Sequence, residues 1–167
     1  MSLVLVAVSK YLTKLSGDGV RIRIVGDRSA VSDKLRKAWE HAEELTKNNR
    51  RITLSVAFNY GGRWDVVQAC RQAITLGMKP EEIDEAWLSS RMALSFAPDP
   101  DLFIRTGGEM RISNFLLWQA AYSELFFTEC LWPDFGAAEI DAALNAYAQR
   151  DRRFGAIRPN QVVPEGT

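Results

Sequence analysis

Apolar residues recur along this chain at two periods, and the switches between them lay out its elements. Val4, Ala7, Val8, Tyr11, Leu12 and Leu15 fall at helical spacing until Gly17-Asp18-Gly19 stops the run, although the β-branched start leaves a strand open. Val20 to Val25 reads as a strand. Ser32 then stands at the N-cap position of a helix whose Leu35, Ala38, Trp39, Ala42 and Leu45 make one apolar stripe. His41 lies beside that stripe and reads as a surface or boundary side chain with no catalytic role. Ile52, Leu54, Val56 and Phe58 alternate with smaller residues, the pattern of a strand covered by helices.

The second half continues the alternation. After Gly61-Gly62 comes a helix carrying Trp64, Val67, Cys70, Arg71 and Ile74, and Pro80 with Glu81 and Glu82 opens the next one, with a fixed φ and acids at the positive end of the helix dipole. Pro98-Asp99-Pro100-Asp101 breaks the chain before a strand from Leu102 to Arg105. Ser113 can cap a helix over Asn114 to Gln119, Leu125 to Thr128 makes a short last strand, and Ala137 to about Arg153 a final helix with Ile140, Leu144 and Tyr147 inward. Strands separated by helices imply an α/β fold, a mainly parallel sheet with helices on both faces. One domain accounts for residues 1–167, with Pro159 to Thr167 as a polar tail. Ligands of such sheets sit beyond the carboxyl ends of the strands. Three polar, glycine-bearing segments lie at such ends: Gly26-Asp27-Arg28, Asn59-Tyr60-Gly61-Gly62-Arg63 and Arg105 to Ser113.

Composition narrows the function classes. The chain has 167 residues, 47% of them hydrophobic, enough for one packed core. Lys+Arg and Asp+Glu both number 21, so no net basic field argues for nucleic acid or an anionic membrane surface. No apolar run approaches the roughly 18 to 20 residues of a membrane span, and the start lacks the basic flank and cleavage pattern of a signal peptide. Cys70 and Cys130 stand apart with a single histidine, which supports neither a disulfide framework nor a zinc site. A cytoplasmic location is the expectation.

The chemistry concentrates in Arg105-Thr-Gly-Gly-Glu-Met-Arg111-Ile112-Ser113-Asn-Phe-Leu-Leu-Trp118. Two arginines supply planar donor forks suited to phosphate oxygens, and paired glycines allow positive φ and close approach of the backbone to a ligand. A hydroxyl and a helix N-terminus would complete an anion cradle.

The whole segment resembles the R-T-G-G-E-x-R-I-S-N-F-L-L-W signature of the cis-prenyltransferases, the family that includes the undecaprenyl diphosphate synthases. Other pieces follow in the family's order: Arg23-Ile-Val-Gly-Asp27, Phe58 to Asp65, Ala121 to Phe127, Leu131-Trp-Pro-Asp-Phe135 and Arg152-Arg-Phe-Gly155. The resemblance runs from about residue 4 to about residue 155. It implies a Rossmann-like fold of cis-prenyltransferase type. The implied reaction condenses isopentenyl diphosphate with an allylic prenyl diphosphate, farnesyl diphosphate in particular, into a cis-polyprenyl (undecaprenyl) diphosphate for cell-wall lipid carriers.

Residue by residue, the resemblance assigns Arg105, Arg111, Ile112 and Ser113 to isopentenyl diphosphate and Glu124 to magnesium (Mg2+). Arg153 and Gly155 match an Arg-x-Gly that reaches the partner's diphosphate in dimeric members, so a homodimer is implied. Asn59, Gly61, Gly62 and Arg63 are candidates for lining the cleft. The family's Asp-Gly-Asn-Gly-Arg-Trp segment has no match here; the one Asp-Gly, Asp18-Gly19, continues into Val20. With its aspartate absent, no residue is assigned as catalytic, the first strands are expected to be missing, and this chain alone is expected to be inactive. A different class remains open: a non-catalytic partner subunit, like the accessory subunit of eukaryotic members. The intact Arg105 to Ser113 segment argues against it.

Overall fold

The computed structural model describes residues 11–29 and 31–150. The chain divides into two compact units, Met1–Pro100 with Ile112–Ala121 and Asp101–Arg111 with Tyr122–Thr167.

In the first unit, residues 11–17 are helical and lead into β1 (Val20–Val25), α1 (Asp33–Thr46), β2 (Ile52–Ala57), α2 (Gly62–Thr75), a 3-10 turn (Pro80–Glu82) and α3 (Glu85–Arg91). β1 and β2 pair in parallel, from Val20 opposite Ile52 to Val25 opposite Ala57. Ile22, Ile24, Leu35, Trp39 and Ala42 form the core with Leu12, and Phe58 meets the Trp39 ring edge-on at 5.1 Å between centroids. Ser32 caps α1 as the sequence implies, its hydroxyl accepting from Leu35 N at 3.4 Å.

Side chains that follow β1 in the chain close the edge that β2 leaves open. Thr46 Oγ1 accepts from Ile22 N at 3.0 Å and Glu43 Oε1 from Ile24 N at 2.8 Å, while Asn49 Nδ2 donates to Val20 O at 2.9 Å. Strand-edge groups that would otherwise invite another strand are thereby satisfied. This also corrects the expected stripe of α1: the buried row ends in Thr46, and Leu45 is 51% exposed. A polar residue takes the inward position because its hydroxyl answers a backbone N–H.

Similar corrections follow elsewhere. On α2 the buried row is Gly62, Asp65, Ala69 and Ala73, with Val67 and Ile74 exposed. Small side chains let this helix approach its neighbours, and the larger apolar ones lie outside. β2 is not fully covered, since Ile52 and Leu54 are exposed. Pro80 opens only a single 3-10 turn; α3 begins at Glu85, capped by Asp84 Oδ1 accepting from Trp87 N at 2.7 Å. No helix forms over Asn114 to Gln119. Ser113, Asn114 and Leu116 have φ of 45°, 64° and 49°, left-handed values that interrupt a right-handed helix, and the segment is a run of turns.

The second unit holds β3 (Leu102–Arg105) and β4 (Glu124–Phe127), parallel from Leu102 opposite Glu124 to Arg105 opposite Phe127. A 3-10 turn (Trp132–Asp134) precedes α4 (Ala137–Ala148), whose start is held by Gly136 N donating to Glu139 Oε2 at 2.9 Å. α4 packs on β4. Ala143 is its buried residue and Tyr147 is half-buried, but Ile140 and Leu144 are exposed, contrary to their expected inward placing. Both strand pairs are parallel and both accompany helices, as the α/β reading requires.

Candidate functional site

Beyond β3 the chain turns through Thr106, Gly107 and Gly108. The two glycines have φ of 87° and 77°, a conformation that a Cβ would strain. Gly107 N donates to Cys130 O at 2.9 Å and Gly108 N to Thr128 O at 2.9 Å, which straps the turn to the segment after β4. These amides are therefore engaged with carbonyls, and the charged donors at the turn come from side chains. A Cβ built on Gly107 would meet nothing within 4 Å, so the turn keeps an open face.

Arg105 and Arg111 converge there on Glu109. Glu109 Oε2 is bonded by Arg105 Nη2 and lies 2.6 Å from Arg111 Nη2, and Arg105 Nη1 donates to Arg111 O. The carboxylate thus holds two guanidinium groups together before any ligand arrives. Arg105 is the more enclosed, with 20% of its side chain exposed against 63% for Arg111. Two positive charges on one bridging carboxylate leave a net positive, exposed cluster suited to a phosphate group.

Ile112 and Ser113 continue the motif in the first unit, where Ser113 is exposed and left-handed rather than a helix cap. Asn114, next to it, binds the start of α2: Gly62 N donates to Asn114 O at 2.7 Å and Arg63 N to Asn114 Oδ1 at 2.9 Å. A Cβ on Gly61 would lie 2.5 Å from Asn114 Nδ2, and one on Gly62 2.7 Å from Leu117 Cγ. The glycines of this turn thus make room for protein. Asn59, at φ 49°, accepts from Asp27 N through its own O at 3.2 Å and donates from Nδ2 to Asp27 O at 3.2 Å. The segments at the carboxyl ends of β1 and β2 therefore meet, as their positions in the sequence imply. Asp27, half-buried here, is held below the usual carboxylate range by its hydrogen bonds from Ser29.

Asp65 was not singled out by the sequence. It is 2% exposed, and its Oδ2 accepts from Tyr60 Oη at 2.8 Å and Gln119 Nε2 at 3.1 Å, while Oδ1 accepts from Ala93 N at 2.8 Å. One carboxylate so joins α2, the turn after α3 and the stretch that carries Ser113. Burial first, and then the bond to Asp65, push the Tyr60 phenol up beyond its ordinary range. Its sequence signals were its place at the end of the Phe58 to Asp65 piece and an acid near a helix start, which describes many surface residues.

A cavity of about 560 Å3 opens against β1, α1 and Trp64, lined by Arg21, Arg23, Arg28 and Lys47. Glu40, Glu43 and Glu44 line it too, and Arg28 pairs with Glu43 at 2.8 Å. Arg23 lies over the Phe96 ring at 4.2 Å. Four cations and three carboxylates line this cavity, a net charge equal to that of the Arg105–Arg111–Glu109 cluster.

Glu124, the expected magnesium ligand, starts β4 and is partly buried, with Oε2 3.7 Å from Arg150 Nε. Among the described residues no group of three or more His, Cys, Asp or Glu is placed to hold a metal ion. One carboxylate facing an arginine does not fit a self-contained magnesium site. Arg153 and Gly155 lie outside the described residues. No helix among the described residues is long and apolar enough to cross a membrane.

Against known families, residues 1–155 match a prenyltransferase family described as "Putative undecaprenyl diphosphate synthase". The chain belongs to this family. It is 52% identical over 157 residues to an isoprenyl transferase of Ralstonia nicotianae, covering 93% of this chain and 61% of that protein. It is also 52% identical over 171 residues to a ditrans,polycis-undecaprenyl-diphosphate synthase ((2E,6E)-farnesyl-diphosphate specific) of Xanthomonas axonopodis pv. citri, covering all of this chain and 66% of that protein. Among solved structures, one described as a "probable undecaprenyl diphosphate synthase" from Campylobacter jejuni aligns with a TM-score of 0.83 at 32% identity, over 92% of this chain and 71% of that one. Lavandulyl diphosphate synthase from Lavandula x intermedia, in complex with dimethylallyl diphosphate, aligns with a TM-score of 0.82 at 34% identity, over 90% and 69%. The prenyltransferase fold is thus shared. The chain spans under two thirds of the length of these curated relatives.

Proposed function

We propose that this chain carries the isopentenyl diphosphate side of a cis-prenyltransferase site, in a protein family whose relatives include undecaprenyl diphosphate synthases. The observation that supports this reading is the pair of guanidinium groups gathered on Glu109 at the open Gly107-Gly108 turn. Arg105 and Arg111 would neutralise the diphosphate, with Ile112 and Ser113 beside them in the chain. Diphosphate would compete with Glu109 for the same donors, and it offers more oxygens and more charge than one carboxylate.

Held by its diphosphate, isopentenyl diphosphate presents its alkene to the first carbon of an allylic diphosphate. The new carbon–carbon bond forms as pyrophosphate leaves the allylic carbon, and a proton lost from the isopentenyl unit restores a double bond. The contribution of this chain's residues is positioning of the acceptor, which lowers the entropic part of the barrier. Farnesyl diphosphate is the allylic partner in this reading, undecaprenyl diphosphate the product, and a homodimer the assembly, with Arg153 and Gly155 reaching toward the second copy. Magnesium would supply charge neutralisation of the diphosphates; Glu124 alone does not provide its site.

Calorimetric titration of the chain with isopentenyl diphosphate tests the proposal. The unsubstituted chain binds; Arg105→Ala and Arg111→Ala each weaken binding by about tenfold or more, the scale of one charge-assisted contact. Equal affinity in the double variant would overturn the assignment.

A further inference from the structure

Helix α2 starts without a side-chain cap of its own. Its N-cap is Gly61, and the acceptors for its first two free amides come from Asn114: the carbonyl for Gly62 N and Oδ1 for Arg63 N. The fit leaves no slack, because a Cβ at Gly61 would strike Asn114 Nδ2 at 2.5 Å and one at Gly62 would strike Leu117 N at 2.8 Å. Asn114 is in turn flanked by backbone that resists its own conformation. Ser113 at φ 45° and Leu116 at φ 49° hold left-handed values that asparagine tolerates far better than serine or leucine. Such conformations persist where the surroundings over-determine them, and they gather at functional sites.

We propose that Asn114 is a positioning residue of the diphosphate-binding segment: its two-point bond to the start of α2 holds Ser113 in its left-handed conformation. This rests on the reading of Arg105 to Ser113 as a diphosphate site and adds a named support for it. One corollary follows for the Gly61-Gly62 turn. Its leading amides are occupied by Asn114, so this turn is the seat of Asn114 and not a second phosphate cradle. A helix N-terminus attracts anions through unsatisfied amides, and here the first two are satisfied.

Capping and positioning can be separated. Gly61 has φ −152° and ψ 138°, extended backbone open to any residue, and the Asn114 side chain is its nearest obstacle. In an Asn114→Ala chain, adding Gly61→Ser restores a local cap to α2 without restoring the tie to residue 114. The experiment compares the unsubstituted chain, Asn114→Ala and the Gly61→Ser/Asn114→Ala double variant. It measures thermal unfolding, calorimetric affinity for isopentenyl diphosphate and pyrophosphate, and the backbone chemical shifts of residue 113 by NMR.

Asn114→Ala is expected to lower the midpoint of unfolding and to weaken diphosphate binding by about tenfold, the loss of one preorganised contact. The double variant is expected to recover the midpoint but neither the affinity nor the left-handed shifts of Ser113. Recovery of affinity along with stability would overturn the proposal and leave Asn114 a helix cap only. So would an Asn114→Ala chain with unchanged affinity and unchanged Ser113 shifts. If the unsubstituted chain binds neither ligand, the diphosphate reading fails, and the shifts still decide whether Asn114 sets the conformation of Ser113.

Discussion

Asp65 offers the sharpest stability prediction, because one buried carboxylate accepts three hydrogen bonds from three parts of the first unit. Asp65→Ala would strand Tyr60 Oη, Gln119 Nε2 and Ala93 N, all at 2.8 to 3.1 Å in the intact protein. The phenol and the amide can turn toward other partners or water, but the Ala93 amide cannot. Counting about 1 to 3 kcal/mol for the stranded amide and about 1 kcal/mol for each side chain gives a loss of roughly 3 to 5 kcal/mol. That is a large part of the ~5 to 15 kcal/mol typical of a folded domain. Asp65→Asn behaves differently. Its carbonyl still accepts from Ala93, the Tyr60 hydroxyl can reverse to accept, and Gln119 can flip its amide, so about 1 kcal/mol is lost. Urea unfolding of the three proteins, with equal slopes against denaturant as the check on two-state behaviour, measures both values. An alanine variant as stable as the parent, or an asparagine variant as damaged as the alanine one, would refute this account of the network.

Further predictions concern activity, assembly and ionisation. Incubated with farnesyl diphosphate, isopentenyl diphosphate and magnesium, this chain alone gives no condensation at the rate of a longer relative, because Glu124 belongs to no group of three or more candidate metal ligands among the described residues; turnover at a comparable rate would contradict this. Sedimentation equilibrium at micromolar concentration gives a homodimer, favoured by exposed Tyr122, Leu131 and Trp132 in the second unit; a purely monomeric species would remove the dimer and the role given to Arg153. Tyr60 is held protonated by burial and Asp65, so its contribution to stability is present below the ordinary tyrosine value of about 10 and is lost as pH rises toward its raised folded value. Spectrophotometric titration therefore shows a late-ionising phenol that Tyr60→Phe abolishes, and a titration curve left unchanged by that substitution would contradict it.

The elements were legible where period and punctuation agreed. β1 matches the stretch Val20 to Val25, and the Ser32 cap is where the helical stripe implies it. What the pattern missed has a common cause, inward positions held by polar or small residues. Thr46 faces inward to answer Ile22 N, Asp65 to gather three donors, and Ala69, Ala73 and Ala143 to let helices approach closely. Hydrophobicity alone turns these faces the wrong way and places Leu45, Ile140 and Leu144 inside. In the candidate site, the arginines and the Gly107-Gly108 turn could be read from residue type, since glycine pairs and guanidinium forks have few substitutes. The helix expected after Ser113 could not form, because Asn114 is committed to α2, and that contact joins residues far apart in sequence.

Hydrogen exchange with and without isopentenyl diphosphate tests the central claim most directly, because it reports where the ligand acts without assuming the site. The account predicts that added slowing is concentrated in residues 105–114 and is absent in the Arg105→Ala/Arg111→Ala chain. Protection centred instead on the cavity beside Arg21, Arg23 and Lys47, or protection in residues 105–114 that survives loss of both arginines, would contradict it.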